Sequence, residues 1–128
     1  MIKRMLDTNI CIYIAQQCPP EVVQKFAEYR RGEIAISSIT WAELCCGTSK
    51  QGEAALNKLL QFWDVLSFSK EAAKIYALLT IANPNRKVGF DRLIAAHAIA
   101  INVPLVTNNI ADFTRYQTSG LQLENWLN

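Results

Sequence analysis

Apolar runs of strand length alternate along the chain with stretches in helical register. Residues 2–6 predict a short first strand, closed by Asp7. Residues 10–15 predict a helix broken at Pro19-Pro20, and residues 21–31 resume it with Val22, Val23, Phe26 and Ala27 on one face and Gly32 as C-cap. Residues 34–37 predict a second strand, followed by a helix from about Thr40. Leu56, Leu59, Leu60 and Trp63 then stand at the i, i+3, i+4, i+7 spacing of a buried helical stripe. A strand over 65–68 precedes a second such stripe, Ala72, Ile75, Tyr76 and Leu79. Turn formers and basic residues fill 83–89, and residues 91–101 predict a strongly apolar helix ending near Asn102 and Pro104. A strand over 103–106, a short helix over 110–116 and a last strand over 121–123 complete the pattern. This alternation predicts an α/β fold with a mostly parallel central sheet and helices on both faces. With no repeat, linker or low-complexity stretch, residues 1–128 read as one domain.

Composition narrows the function classes without choosing among them. At 51% hydrophobic and 19% charged residues, the chain reads as globular rather than disordered. Lys3 and Arg4 precede an apolar stretch, but Asp7, Thr8 and Asn9 interrupt it before it reaches signal-peptide form. No run approaches the ~20 apolar residues of a membrane span. The four cysteines (Cys11, Cys18, Cys45 and Cys46) form no C-x-x-C pair, and His97 is the only histidine, which argues against structural zinc. They read instead as reduced, mostly buried thiols of a cytoplasmic protein. Thirteen basic against 11 acidic residues give a formal charge of only +2, which does not announce a nucleic-acid binder.

The placement of the acids says more. Ligands of open α/β sheets gather beyond the carboxyl ends of the strands. Asp7 directly follows the first predicted strand, Asp91 opens the apolar helix, and Asp112 follows the strand ending at Val106. Glu43 falls one turn into the helix after the second strand. Each has a purely structural alternative. Asp7 and Asp91 suit helix N-caps, Thr40-Trp41-Ala42-Glu43 fits a capping box, and Asp112 fits a solvated helix surface. Together they form a set of carboxylates that would repel one another unless a divalent cation neutralised them. Oxygen ligands favour Mg2+ or Mn2+, and such a site with open positions activates water and offsets charge on a phosphoryl group. Thr8, Asn9, Thr107, Asn108 and Asn109 are placed to orient carboxylates or bound water, although turn chemistry also favours these residue types. Arg86, Lys87 and Arg92 flank Asp91 and suit a phosphate group of the substrate, or simply a solvated basic loop. His97, six residues beyond Asp91, reads as a packed helix residue.

Five segments in order make the pattern recognisable: Met5-Leu6-Asp7-Thr8-Asn9; Ser38-Ile39-Thr40-Trp41-Ala42-Glu43-Leu44; Asp91-Arg92-Leu93-Ile94-Ala95-Ala96-His97-Ala98; Val106-Thr107-Asn108-Asn109 with Asp112-Phe113; and Glu124-Asn125-Trp126. In this order and spacing the chain closely resembles the VapC toxins of the PIN-domain ribonucleases, from residue 2 to residue 126. The resemblance implies a PIN-like three-layer sandwich and a Mg2+- or Mn2+-dependent endoribonuclease, with transfer RNA as the expected substrate. It also implies a VapB-type antitoxin, a toxin homodimer, and products carrying a 5′-phosphate and a 3′-hydroxyl. Asp7, Glu43 and Asp91 would be the metal-site acids, with Asp112 as a fourth catalytic acid where Asn109 replaces the aspartate of many PIN domains. The segment before Asp91, and the stretch between Glu43 and Asp91, are shorter than is usual in the family. That leaves a catalytically impaired PIN-like interaction module as an alternative. A haloacid-dehalogenase-type phosphatase is a further one, although it wants an aspartate where Asn9 stands.

If four of the 11 acids face one metal-binding cleft, the remaining surface carries 13 basic against 7 acidic groups. That balance would attract a phosphate backbone.

Overall fold

A computed structural model describes residues 1–48, 52–84 and 89–127. Five strands form one parallel sheet: β1 (Arg4–Leu6), β2 (Ile34–Ser37), β3 (Asp64–Leu66), β4 (Leu105–Val106) and β5 (Leu123–Glu124), in the spatial order β3-β2-β1-β4-β5. The helices are α1 (Thr8–Gln16), α2 (Pro20–Phe26), α3 (Ser38–Thr48), α4 (Glu53–Leu59), α5 (Lys70–Ala82), α6 (Phe90–Ile101) and α7 (Ile110–Phe113), with a 3-10 helix over Thr114–Ser119.

Strand side chains alternate between two cores, because successive residues of a strand point to opposite faces. Leu6, Ile34, Ile36 and Val106 face one cluster with Ile10, Ile14, Val22, Leu44, Leu59 and Trp63. Met5 and Leu105 face the other, with Leu79, Ile94, Ala95, Ala98, Phe113 and Tyr116. Helices therefore cover both faces, as a buried parallel sheet requires.

The elements depart from the sequence pattern where backbone hydrogen bonding overrules it. β4 begins only at Leu105, since Pro104 has no N–H to give. Asn102 closes α6 in the left-handed conformation, donating to the Ala98 and Ile99 carbonyls. α2 stops at Phe26, and Gly32 (φ +92°) serves the turn into β2 rather than capping a helix. The predicted stripe ending at Trp63 also breaks. α4 ends at Leu59, Leu60 is exposed, and Trp63 enters the core from beyond the helix. Of the cysteines only Cys11 is buried, while Cys18 and Cys46 are exposed and Cys45 is half-buried, so the thiols are not mostly buried. Among the described residues, no helix is long and apolar enough to cross a membrane.

α3 starts at Ser38, with no loop after β2. The Ser37 hydroxyl accepts from the Ile39 N–H at 3.1 Å and so supplies the cap. Thr40 consequently lies inside the helix, and the capping box expected at Thr40–Glu43 does not form.

Candidate active site

Asp7 sits where β1 turns into α1. Its Oδ1 accepts from the Thr8 N–H at 2.7 Å and its Oδ2 from the Thr107 hydroxyl at 2.8 Å. Thr107, at the end of β4, is itself buried and also accepts from the Asn109 N–H at 2.9 Å. Asp7 is thus an N-cap, as one expectation had it, and both of its oxygens are oriented. It is only 5% exposed and has no basic partner among the described ion pairs. Burial pushes its pKa above the ordinary carboxylate value against those two hydrogen bonds, and the charges of Glu43 and Asp112 push it further.

Glu43 reaches the same place from α3. Freed from the capping role, its Oε1 accepts from the Thr8 hydroxyl at 2.7 Å. Thr8 therefore joins the two acids, giving its N–H to one and its hydroxyl to the other. Asp91 is the second residue of α6, whose N-cap is Gly89, so it does not cap the helix. Its pKa is also raised, by burial first and then by the charges of Asp7 and Asp112. Asp112, on α7, is exposed and accepts from Asn109 Nδ2 at 2.5 Å.

The structure thus gathers Asp7, Glu43, Asp91 and Asp112 into one field at the C-terminal end of the sheet. The short segment before Asp91 has not carried that acid away from Asp7. Among the described residues, no three acidic, histidine or cysteine side chains stand close enough together to hold one metal ion. An open set of carboxylates suits a hard cation that keeps several of its waters. A cavity of about 510 Å³ adjoins the acids between α1, α3 and α4, lined by Thr8 and Glu43 and then by Ile12, Leu44, Leu59 and Phe62.

Several expected residues stand elsewhere. Arg92 is not a phosphate ligand, since it is 1% exposed. Its Nε donates to the Tyr116 hydroxyl, Nη1 to the Thr80 hydroxyl and Nη2 to the Asn83 carbonyl, each at 3.3 Å. It ties α5 and the 3-10 helix to α6, and its burial takes one cation out of the expected basic surface. Arg86 and Lys87 lie outside the described residues. Asn9 is exposed on α1 and makes no hydrogen bond to the acids among the described contacts. Asn108 holds the Tyr13 hydroxyl at 2.9 Å instead of a carboxylate. His97 is packed as expected, with Nδ1 2.8 Å from the Ser37 hydroxyl and its ring edge-on to Phe68. Sequence reasoning passed over Arg115, whose charge draws the Asp91 pKa down against the other influences on it.

Fold and acids together define the PIN domain, and the chain belongs to that family, whose model matches residues 4–118. Its similar proteins are VapC ribonucleases. Ribonuclease VapC2 of Rickettsia felis is 38% identical over 131 residues, covering 95% of this chain and 96% of that protein. The tRNA(fMet)-specific endonuclease VapC of Shigella flexneri is 36% identical over 134 residues, covering 98% and 99%. Among solved structures, that of VapBC2 from Rickettsia felis bound to a promoter DNA fragment matches with a TM-score of 0.79 at 37% identity, covering 99% of this chain and all of that one. Membership in this family removes the ground for the phosphatase alternative.

Proposed function

We propose that the chain is a Mg2+- or Mn2+-dependent endoribonuclease, the toxin of a VapB–VapC pair, with transfer RNA as its substrate. The observation that carries this reading is the convergence of Asp7, Glu43, Asp91 and Asp112 with no ion-pair partner among the described residues. Asp7 and Asp91, whose proton affinity is raised by burial and by neighbouring carboxylates, carry a standing electrostatic cost that a divalent cation relieves. Asp7, Asp91 and Glu43 would hold the ion, which supplies the positive charge that acidifies water and offsets charge on the phosphoryl oxygens.

The chain's own groups do the positioning. Thr107 and the Thr8 N–H fix both oxygens of Asp7. The Thr8 hydroxyl holds Glu43 by Oε1, which leaves Oε2 to orient the attacking water and receive its proton. Asp112 closes the rim, itself held by Asn109. In-line attack of that water on the scissile phosphorus breaks the P–O3′ bond, leaving a 5′-phosphate, and the departing 3′-oxygen takes a proton from solvent to become the 3′-hydroxyl. The tRNA assignment and the VapB-type antitoxin rest on the relatives named above, one called a tRNA-specific endonuclease and one solved as a VapBC complex.

Purified protein incubated with cellular RNA and Mg2+ is expected to cleave tRNA, to stop on addition of EDTA, and to be inhibited by its antitoxin. Cleavage that persists in EDTA overturns the metal assignment. Mapped 5′ ends lying outside tRNA overturn the substrate.

A further inference from the structure

Three of the described arginines, Arg4, Arg31 and Arg92, are satisfied by other groups, whereas Arg115 is not. Arg4 pairs with Glu124, Arg31 donates to the Leu60 and Gln61 carbonyls, and Arg92 spends its guanidinium on three neutral acceptors. Arg115 donates no side-chain hydrogen bond and forms no ion pair among the described residues. Its Nε is buried without a partner, while its terminal nitrogens reach solvent. An unpaired buried donor on a cation is costly, and such groups in native structures call for an explanation.

Its setting supplies one. The guanidinium lies 5.6 Å from the centre of the Tyr116 ring. Tyr116 is itself buried, and its hydroxyl accepts from Arg92, the residue that follows Asp91 on α6. Arg115 also stands three residues beyond Asp112, close enough for its field to act on the Asp91 carboxyl. A cation is therefore held on an aromatic platform within electrostatic reach of Asp91, without an ion pair to neutralise it. A planar fork of donors kept open in this way matches the oxygens of a phosphodiester.

Resting on the ribonuclease reading, we infer that Arg115 is a substrate-binding residue of the active site, gripping the RNA phosphate presented to Asp7, Glu43 and Asp91. Its role is to hold that phosphate in register and to offset charge on its non-bridging oxygens during attack.

The experiment compares wild type, Arg115→Gln and Arg115→Lys on one fluorescently labelled RNA hairpin. Cleavage is measured in Mg2+, binding in EDTA across a salt series, Mn2+ affinity without RNA by electron paramagnetic resonance, and folding by thermal melting. For Arg115→Gln, kcat/KM falls about 100-fold. The slope of log affinity against log salt becomes shallower by about 0.7, the signature of one lost phosphate contact on a single strand. Its Mn2+ affinity stays equal to wild type or tightens, because a positive charge beside Asp91 has gone. Arg115→Lys keeps the wild-type salt slope but cleaves more slowly than wild type, lacking the fork.

A wild type that cleaves in Mg2+, with an Arg115→Gln variant that cleaves and binds equally well, overturns the inference alone. So does a loss of cleavage that follows weaker Mn2+ binding or a lower melting temperature, since Arg115 would then only support Asp91. Should Arg115→Gln fail to fold, Arg115→Lys decides: cleavage at the wild-type rate overturns the bidentate grip. A wild type that neither binds nor cleaves RNA overturns both readings together.

Discussion

Two acids on the same sheet live in opposite electrostatic settings. Glu124, on β5, accepts from Arg4 through both oxygens, at 3.1 and 3.2 Å, and from Trp126 Nε1 at 2.6 Å. Burial pushes its pKa up, but these bonds and the Arg4 charge outweigh it, and the net pKa is lowered. Asp7 also has both oxygens hydrogen-bonded, yet its partners are neutral and the charges that reach it are negative, so its pKa is raised. One carboxylate is matched by the chain that carries it. The other is held rigid but left charged and uncompensated, which is sensible only if something outside the chain completes it.

The largest effect should come from breaking the unmatched site. Asp7→Asn is expected to lower kcat/KM for RNA cleavage by about 1000-fold or more, and to abolish growth inhibition on induction. The substitution removes a charge that opposes folding, so the melting temperature of the metal-free protein should not fall and should rise at neutral pH. That gain should disappear as pH drops through the raised folded-state pKa to the ordinary carboxylate value, where Asp7 is protonated in both states. A strongly destabilised variant would show that Asp7 is structural and put it in the same class as Glu124.

Arg92 extends the contrast to a buried cation. Its three acceptors are all neutral, so it is satisfied by hydrogen bonds alone. Arg92→Ala opens a cavity and leaves the Tyr116 hydroxyl and the Asn83 carbonyl without this donor. The expected cost is about 3 kcal/mol, read by chemical denaturation. Unchanged stability with weakened RNA binding would return Arg92 to the phosphate-binding role that its place in the sequence suggested. A slightly smaller stabilisation is expected from metal: Mg2+ at 100 times its dissociation constant should add about 2.7 kcal/mol, and nothing comparable in Asp7→Asn.

What the sequence revealed and what it concealed follow the same physics. Asp7 and Asp91 could be placed because apolar runs mark element ends: the run over residues 2–6 stops at Asp7, and the apolar helical stretch 91–101 starts at Asp91. Glu43 was half legible: the Thr40–Glu43 pattern is a proper capping box, but the Ser37 hydroxyl starts the helix two residues earlier and frees Glu43 for Thr8. Arg92 misled because a neighbour in sequence is not a neighbour on a helix, where successive residues diverge by about 100°. α6 is buried on most of its circumference, so the residue after Asp91 points into protein. Arg115 left only a faint trace, its i, i+3 spacing from Asp112, in a segment where a 3-10 helix rather than a continued α-helix sets its direction. Charged side chains whose partners come from distant elements are what local pattern fails to convey.

The smallest effect tests the matched acid. The Glu124 side chain is 32% exposed, so its pair with Arg4 is partly screened by solvent. Glu124→Gln should cost under about 1 kcal/mol at neutral pH, roughly 3 °C in melting temperature. Because the folded-state pKa is lowered, this contribution is complete above the ordinary glutamate pKa and is lost as pH falls through the folded-state value. Wild type and Glu124→Gln should therefore converge in acid from the wild type's higher side, whereas metal-free wild type and Asp7→Asn converge with the wild type the lower of the two. Melting curves of the three proteins from neutral to acid pH read both signs in one series. A Glu124→Gln difference that grows in acid, or one of the same sign as Asp7→Asn, would remove the distinction between an acid that serves the fold and one that serves the reaction.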